Sequence, residues 1–129
     1  MPQIKDLSKV LYPELSYKVY GLCFKVHNEL GRFRNEKQYA DALEHAFRDS
    51  KIIYEREIPL AISFAGEKTR RNIPDFLIEG KIILDLKAKT IITKEDYFQM
   101  QRYLISANKR LGIIVNFRQK YLIPKRVAC

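Results

Sequence analysis

Ile73-Pro74-Asp75-Phe76-Leu77-Ile78-Glu79-Gly80-Lys81-Ile82-Ile83-Leu84-Asp85-Leu86-Lys87-Ala88 is the stretch on which the reading of this chain turns. Apolar runs flank Gly80, a residue suited to a tight turn, which predicts two adjacent antiparallel strands, about Arg71 to Glu79 and Lys81 to Ala88. Ile82-Ile83-Leu84 is the densest apolar run of the sequence, so the second of these strands belongs at the centre of a sheet. The same stretch also puts charge where a buried strand should be apolar. Alternate side chains of a strand share a face, so Asp75 falls with Ile73 and Leu77, and Asp85 with Ile83 and Lys87. A charge on a buried face costs on the order of several kcal/mol unless it is paired or holds a metal.

Outward from this pair, Ile58, Leu60, Ile62 and Phe64 alternate with Glu57, Pro59, Ala61 and Ser63, and Ala65-Gly66-Glu67-Lys68 has the composition of a hairpin turn. This predicts a first strand leading into the second. Further upstream, Leu15, Val19, Leu22, Val26 and Leu30 recur at helical spacing, widened by Tyr20, Cys23 and Phe24, until Gly31. A second helix starts near Asn35, a good N-cap, and carries Tyr39, Ala40, Leu43, Ala46 and Phe47 on one face up to about Asp49. Downstream, Thr93 and Asp96 have capping-box spacing, Tyr97, Met100, Leu104 and Ala107 give a helix its inward face before Gly112, and Ile113 to Phe117 is a final strand. A strand, a helix and another strand make a parallel crossover, whereas the first three strands are joined tightly enough to be antiparallel. The fold class is therefore α/β: a mixed four-stranded sheet flanked by helices, in the order αα-βββ-αβ. No internal repeat or low-complexity segment interrupts it.

The chain has 129 residues, 47% of them hydrophobic, enough for one core and too few for two comfortable ones, so one domain is expected over residues 1–129. Lys and Arg number 24 against 15 Asp and Glu, a net charge of +9 spread from Lys5 to Arg126 rather than held in a tail. A folded surface that basic attracts polyanions, since neutralising phosphates releases counterions, and nucleic acid or an anionic membrane are the natural partners. The membrane is the weaker choice: no stretch approaches ~20 consecutive apolar residues, Met1 to Tyr12 lacks the pattern of a secretory signal, and the first helix has too few lysines for a membrane-surface helix. Cys23 and Cys129 form neither a disulfide framework nor a zinc pattern, which fits a reducing cytoplasm.

A third carboxylate joins Asp75 and Asp85. Glu36 stands one turn before Ala40 and two before Leu43, on or beside the apolar face of the second helix. Each acidic residue has an ordinary explanation as well. Glu36 suits a helix N-terminus, Asp75 after Pro74 suits a turn, and Asp85 with Lys87 suits a salt bridge. Together they carry more weight, because Mg²⁺ takes one or two carboxylates and keeps water and substrate phosphate for the rest of its shell. The constellation suits phosphodiester chemistry.

Pro74-Asp75 followed by Asp85-Leu86-Lys87 resembles the signature of the PD-(D/E)xK nuclease superfamily. Leu30-Gly31, Glu36, Tyr39, Ala42 and Leu43, Asp75-Phe76-Leu77, Asp85-Leu86-Lys87-Ala88, Gln99 with Tyr103-Leu104, and Asn116-Phe117 follow in order the landmarks of its bacterial GxxExxY family. This resemblance implies a restriction-endonuclease-like fold, an α-βββ-αβ core with an extra N-terminal helix, and a Mg²⁺-dependent nuclease acting on DNA or RNA, with Mn²⁺ as a substitute metal. It implies Asp75 and Asp85 as the main metal ligands, the Leu86 carbonyl as another, and Glu36 on the metal directly or through water. Lys87 would orient or deprotonate the attacking water and offset phosphate charge, and Gln99 would hydrogen-bond the nucleophile, Lys87 or the substrate. Two positions depart from the family: its name-giving glycine falls on Phe33, and an arginine before the first aspartate is replaced by Ile73, with Arg70 or Arg71 as stand-ins.

Candidates for phosphate contacts are Arg32, Arg34, Lys37, Lys89, Lys94, Arg102, Lys109 and Arg110, none ranked above the others and each, taken alone, more often a solvated surface charge. Tyr97 and Phe98 near the crossover are candidates to stack on bases, although Tyr97 also lies on the core stripe, where core packing is favoured, and Tyr103 fits packing as well as stacking. His27 and His45 have no ligand partner one turn away and are expected to be structural or exposed. The rival function is a catalytically silent nucleic-acid-binding or protein-interaction module that keeps the nuclease fold. A homodimer or an unknown protein partner is left open by the sequence.

Overall fold

The structure, a computed structural model, describes residues 11–129, so most of the segment read for a secretory signal lies outside the described residues. Helix α1 (Pro13–Leu30) starts on a proline, whose missing N–H costs nothing in a first turn, and buries Val19, Cys23 and Val26. Gly31, at φ 77°, ends it and returns its N–H to the His27 carbonyl at 2.9 Å. Helix α2 (Glu36–Asp49) is fixed at its start by a reciprocal cap. The Asn35 side chain accepts the Gln38 N–H at 2.9 Å, and the Gln38 side chain accepts the Asn35 N–H at 3.0 Å. Its buried face is Tyr39, Ala40, Leu43, Ala46 and Phe47, as the spacing predicts.

The sheet has five strands in sequential order: β1 (Tyr54–Arg56), β2 (Phe76–Ile78), β3 (Ile82–Lys87), β4 (Leu111–Asn116) and β5 (Lys125–Ala128). Only β3 and β4 run parallel, joined by α3 (Lys94–Ala107), and the remaining neighbours are antiparallel. Glu79, Gly80 and Lys81 make the turn between β2 and β3: Glu79 and Gly80 take left-handed conformations at φ 52° and 65°, and the Lys81 N–H donates back to the Ile78 carbonyl at 2.9 Å.

Three expectations are corrected. The first strand is Tyr54–Arg56, and the alternating residues after Glu57 form an irregular loop in which Ile62 and Phe64 are 49% and 61% exposed. Glu57 at φ 53° breaks strand geometry there, and three-residue β2, preceded by Pro74 with no N–H to offer, has no room to pair with a longer strand. The sheet is five-stranded, not four-stranded: Lys125 to Ala128 pairs antiparallel with β4 although its single apolar inward residue, Val127, gives little periodic signal. Finally, Gly112 does not end α3. Asn108 caps that helix at φ 53°, while Gly112 lies inside β4, where an added Cβ would fall 2.3 Å from the Met100 sulfur.

Alternation along β3 divides the interior. Ile82, Leu84 and Leu86 join α1 and α2 in the larger core with Val19, Leu43, Phe47 and Phe76. Ile83 faces α3 and packs with Leu77, Met100, Tyr103, Leu104, Ile114 and Val127 in a smaller one. Asp85 and Lys87 continue the Ile83 row, so the apolar α3 side gives way to charge at the C-terminal end of the central strand.

Candidate active site

The β2–β3 register pairs Phe76 with Leu84, which brings Asp75, one residue before β2, across from Asp85 on the α3 face. The backbone N–H of Leu86 donates to Asp75 Oδ2 at 2.6 Å, so the bare strand edge beyond Leu84 is closed by a side chain rather than by β2. Asp85 is 5% exposed, and its side chain meets that of Asp75. Burial, and then repulsion from Asp85, push the Asp75 carboxyl up to about 8, partly offset by the Leu86 N–H. Two carboxylates this close cannot both be charged cheaply without a cation.

Lys87 supplies one positive charge. Its Nζ lies 2.8 Å from Asp85 Oδ2 and donates to Gln99 Oε1 of α3 at 2.8 Å, with Asp96 Oδ1 at 4.0 Å. Burial alone would lower the lysine's pKa, but Asp85, Asp96 and Glu36 outweigh it and raise it, so this group is an ammonium at neutral pH. An ammonium has three donors, and Asp85 and Gln99 take two of them.

Asp96 is the residue that sequence reasoning undervalued. It caps α3 through the Thr93 N–H at 2.7 Å, as the capping box implies, and it also binds Lys89 Nζ at 2.5 Å. Burial would raise its pKa, but Lys89 and Thr93 hold it below the ordinary value. A signal was present: Lys87 and Lys89 share one side of a strand end, and two neighbouring ammonium groups call for a counter-charge. Asn116, at the end of β4, bridges the Lys89 backbone, accepting its N–H at 3.1 Å and donating to its carbonyl at 2.8 Å.

Glu36 stands apart from this cluster. It is exposed at the start of α2 and lines, with Asn35, Lys37, Ala40, Glu57 and Asp75, a cleft of about 430 Å³. Crowding by protein raises its pKa; Lys87 and Lys89 oppose the rise, while Asp85 and Asp96 add to it. Asp75 thus touches Asp85 on one side and opens with Glu36 into the cleft on the other. Glu57, placed there by its positive φ and its N–H to the Asp75 carbonyl at 3.1 Å, was not expected in the site.

Among the described residues, no three acidic, histidine or cysteine side chains are grouped to hold a metal ion. The donor set that fits a divalent cation is the Asp75–Asp85 pair, whose crowding a cation would relieve. Two carboxylates, with the rest of the shell from water, backbone and phosphate oxygens, is the usual manner of Mg²⁺.

Of the other candidates, Lys89 is held by Asp96, and Arg102 pairs with Glu95 at 3.0 Å, so neither is an uncommitted phosphate ligand. Arg32, Arg34, Lys37 and Lys94 are exposed. Tyr103 is buried, donates to the Ile73 carbonyl at 3.4 Å and has a pKa raised by burial, all marks of packing. His27 Nε2 contacts the Gln119 carbonyl at 2.8 Å and His45 pairs with Asp49 on the surface, so both are structural or exposed as expected.

An antiparallel triplet closed by a parallel crossover, with acidic residues and a lysine at the C-terminal end of the central strand, defines a restriction-endonuclease-like fold. The family model described as the PD-(D/E)XK nuclease superfamily matches residues 13–127, and the chain belongs to that superfamily. Neither the curated proteins nor the solved structures gave a match. Among the described residues, no helix is long and apolar enough to cross a membrane.

Proposed function

We propose that the chain is a divalent-metal-dependent nuclease of the GxxExxY kind, hydrolysing phosphodiester bonds of DNA or RNA with Mg²⁺, or Mn²⁺ in its place, as one domain in the cytoplasm. The observation that carries this reading is the Asp75–Asp85 pair, buried against a lysine ammonium and open on one side to a cleft that also holds Glu36. Asp75, Asp85 and the Leu86 carbonyl would hold the cation, with Glu36 reaching it through water. When bound, the cation supplies Lewis-acid charge to the scissile phosphate and makes a water more acidic. Lys87, with one donor left after Asp85 and Gln99, orients or deprotonates the attacking water and offsets charge on the phosphate. Gln99 and Asp85 fix that ammonium, and Asp96 holds Lys89 beside it.

The test is incubation with labelled single- and double-stranded DNA and RNA in Mg²⁺, Mn²⁺ or EDTA, beside Lys87→Ala. The expected result is metal-dependent cleavage that falls by ~100-fold or more in Lys87→Ala, because a group acting on the nucleophile is gone. Cleavage at the wild-type rate by Lys87→Ala would overturn the mechanism. If wild type cleaves none of the four, the silent binding module replaces the enzyme.

A further inference from the structure

The loop that enters α2 holds a large apolar ring in water. Phe33 is 77% exposed, three residues before Glu36, and nothing in the core asks for it. A loose loop would make this unremarkable, but this loop is tied down at several points. The Tyr39 hydroxyl donates to the Gly31 carbonyl at 2.6 Å and accepts the Arg34 N–H at 3.2 Å, while its ring stacks on Phe117 with centroids 4.3 Å apart. Arg118, just past β4, donates from Nε to the Arg32 carbonyl at 2.7 Å and from Nη2 to the Arg34 carbonyl at 3.4 Å. The Asn35 cap fixes the other end. The backbone on both sides of Phe33 is therefore anchored to the core, and the ring is presented rather than left over.

Its neighbours are cationic. The guanidinium carbons of Arg32 and Arg118 lie 5.0 and 6.0 Å from the ring centroid, and Arg34 and Lys37 are exposed on the same segment. Lys37 also lines the cleft that holds Glu36 and Asp75. A rigid aromatic face among guanidiniums is what an unpaired base and its phosphates require: the base stacks on a π-face and the phosphates meet the cations. A paired base inside a duplex offers no face for such stacking, since its neighbours already cover it.

We propose that Phe33, framed by Arg32, Arg34 and Arg118, is a stacking platform for an unpaired base beside the cleft, so that the polynucleotide this site takes is single-stranded or splayed at the point of contact. The assignment deepens the nuclease reading and rests on it for the nature of the bound polymer. It makes the loop entering α2 the element that selects strand structure.

The experiment is fluorescence anisotropy with labelled oligothymidylate and with a duplex of equal length, in EDTA so that turnover does not intervene. Wild type, Phe33→Ala and Phe33→Trp are compared, and anionic phosphatidylserine vesicles serve as a third probe. Loss of one stacked base is expected to weaken single-strand binding by roughly 10-fold in Phe33→Ala. Phe33→Trp should retain or improve it, and duplex binding should change by less than about 2-fold in either variant. Equal single-strand affinity for wild type and Phe33→Ala overturns the platform, as does an equal loss on duplex. Loss confined to vesicles overturns it in favour of a membrane contact. Because binding is read without cleavage, a protein that binds through Phe33 yet cuts nothing defeats the nuclease reading while leaving the platform standing. Cleavage by wild type with unchanged binding by Phe33→Ala does the reverse.

Discussion

The two faces of the sheet are built to different ends. Toward α1 and α2, β3 presents Ile82, Leu84 and Leu86 to a continuous apolar cluster that includes Tyr39, Leu43, Phe47 and Phe76. Toward α3 the same strand begins with Ile83 and continues with Asp85 and Lys87, and the helix answers with Met100 and Leu104 near one end and Gln99 and Asp96 near the other. One face holds the strand in place by burial; the other uses that fixed strand to crowd like charges. A buried carboxylate pair needs this asymmetry, because ionising both members would push the elements apart and only packing on the opposite face resists.

Leu84→Ala tests the division most severely. Leu84 is fully buried, and its truncation should cost about 2–5 kcal/mol through lost burial and the remaining cavity. Chemical denaturation would measure this, and a loss under about 1 kcal/mol would mean that the α1–α2 face is not what secures β3. Gln99→Ala comes next and probes the other face. It removes one partner of the Lys87 ammonium without touching either core, so turnover should fall by about 10-fold while the unfolding midpoint stays close to wild type. Equal losses in activity and stability would make Gln99 a structural residue and blur the contrast.

How much of this was legible in the sequence follows the same division. The helices, β3, and the pairing of Asp75 with Asp85 could be read because they rest on periodicity and on a short turn at Gly80, both local properties. β1 and β5 could not. Tyr54 to Arg56 and Lys125 to Ala128 are strands because β2 and β4 offer them edges, and an edge is a tertiary fact. The alternation after Glu57 misled for the same reason: it has the pattern of a strand and no partner. At the site, Lys87 meeting Gln99 follows from the resemblance, whereas the double duty of Asp96 was hinted at only by the need of Lys87 and Lys89 for a counter-charge, and which acid answers depends on where α3 starts relative to the strand end. Phe33 shows in the sequence only as a departure from the family, since exposure on an anchored loop depends on contacts from Tyr39 and, from far along the chain, Arg118.

The subtlest expected effect concerns pH. The folded Asp75 carboxyl titrates near about 8, against an ordinary value of 3.8, because burial and Asp85 disfavour its charge. Between those values the metal-free folded protein keeps a proton that the unfolded chain has lost. The stability linked to this proton is complete below the ordinary carboxylate value, and it drains away as pH rises through the folded pKa. Metal-free protein in EDTA should therefore melt at progressively lower temperature as pH is raised from about 5 to about 8. Asp75→Asn keeps the shape and abolishes the charge, so its melting temperature should stay level over that range and exceed wild type at the alkaline end. Mg²⁺ should raise wild type at pH about 8 and leave Asp75→Asn nearly unmoved, since a ligand stabilises only the form it binds. Thermal unfolding of both proteins, with and without Mg²⁺, reads all three outcomes. If Asp75→Asn keeps the wild-type slope, the strain between the two carboxylates is not real, and the contrast between a stabilising face and a strained one loses its chemical half.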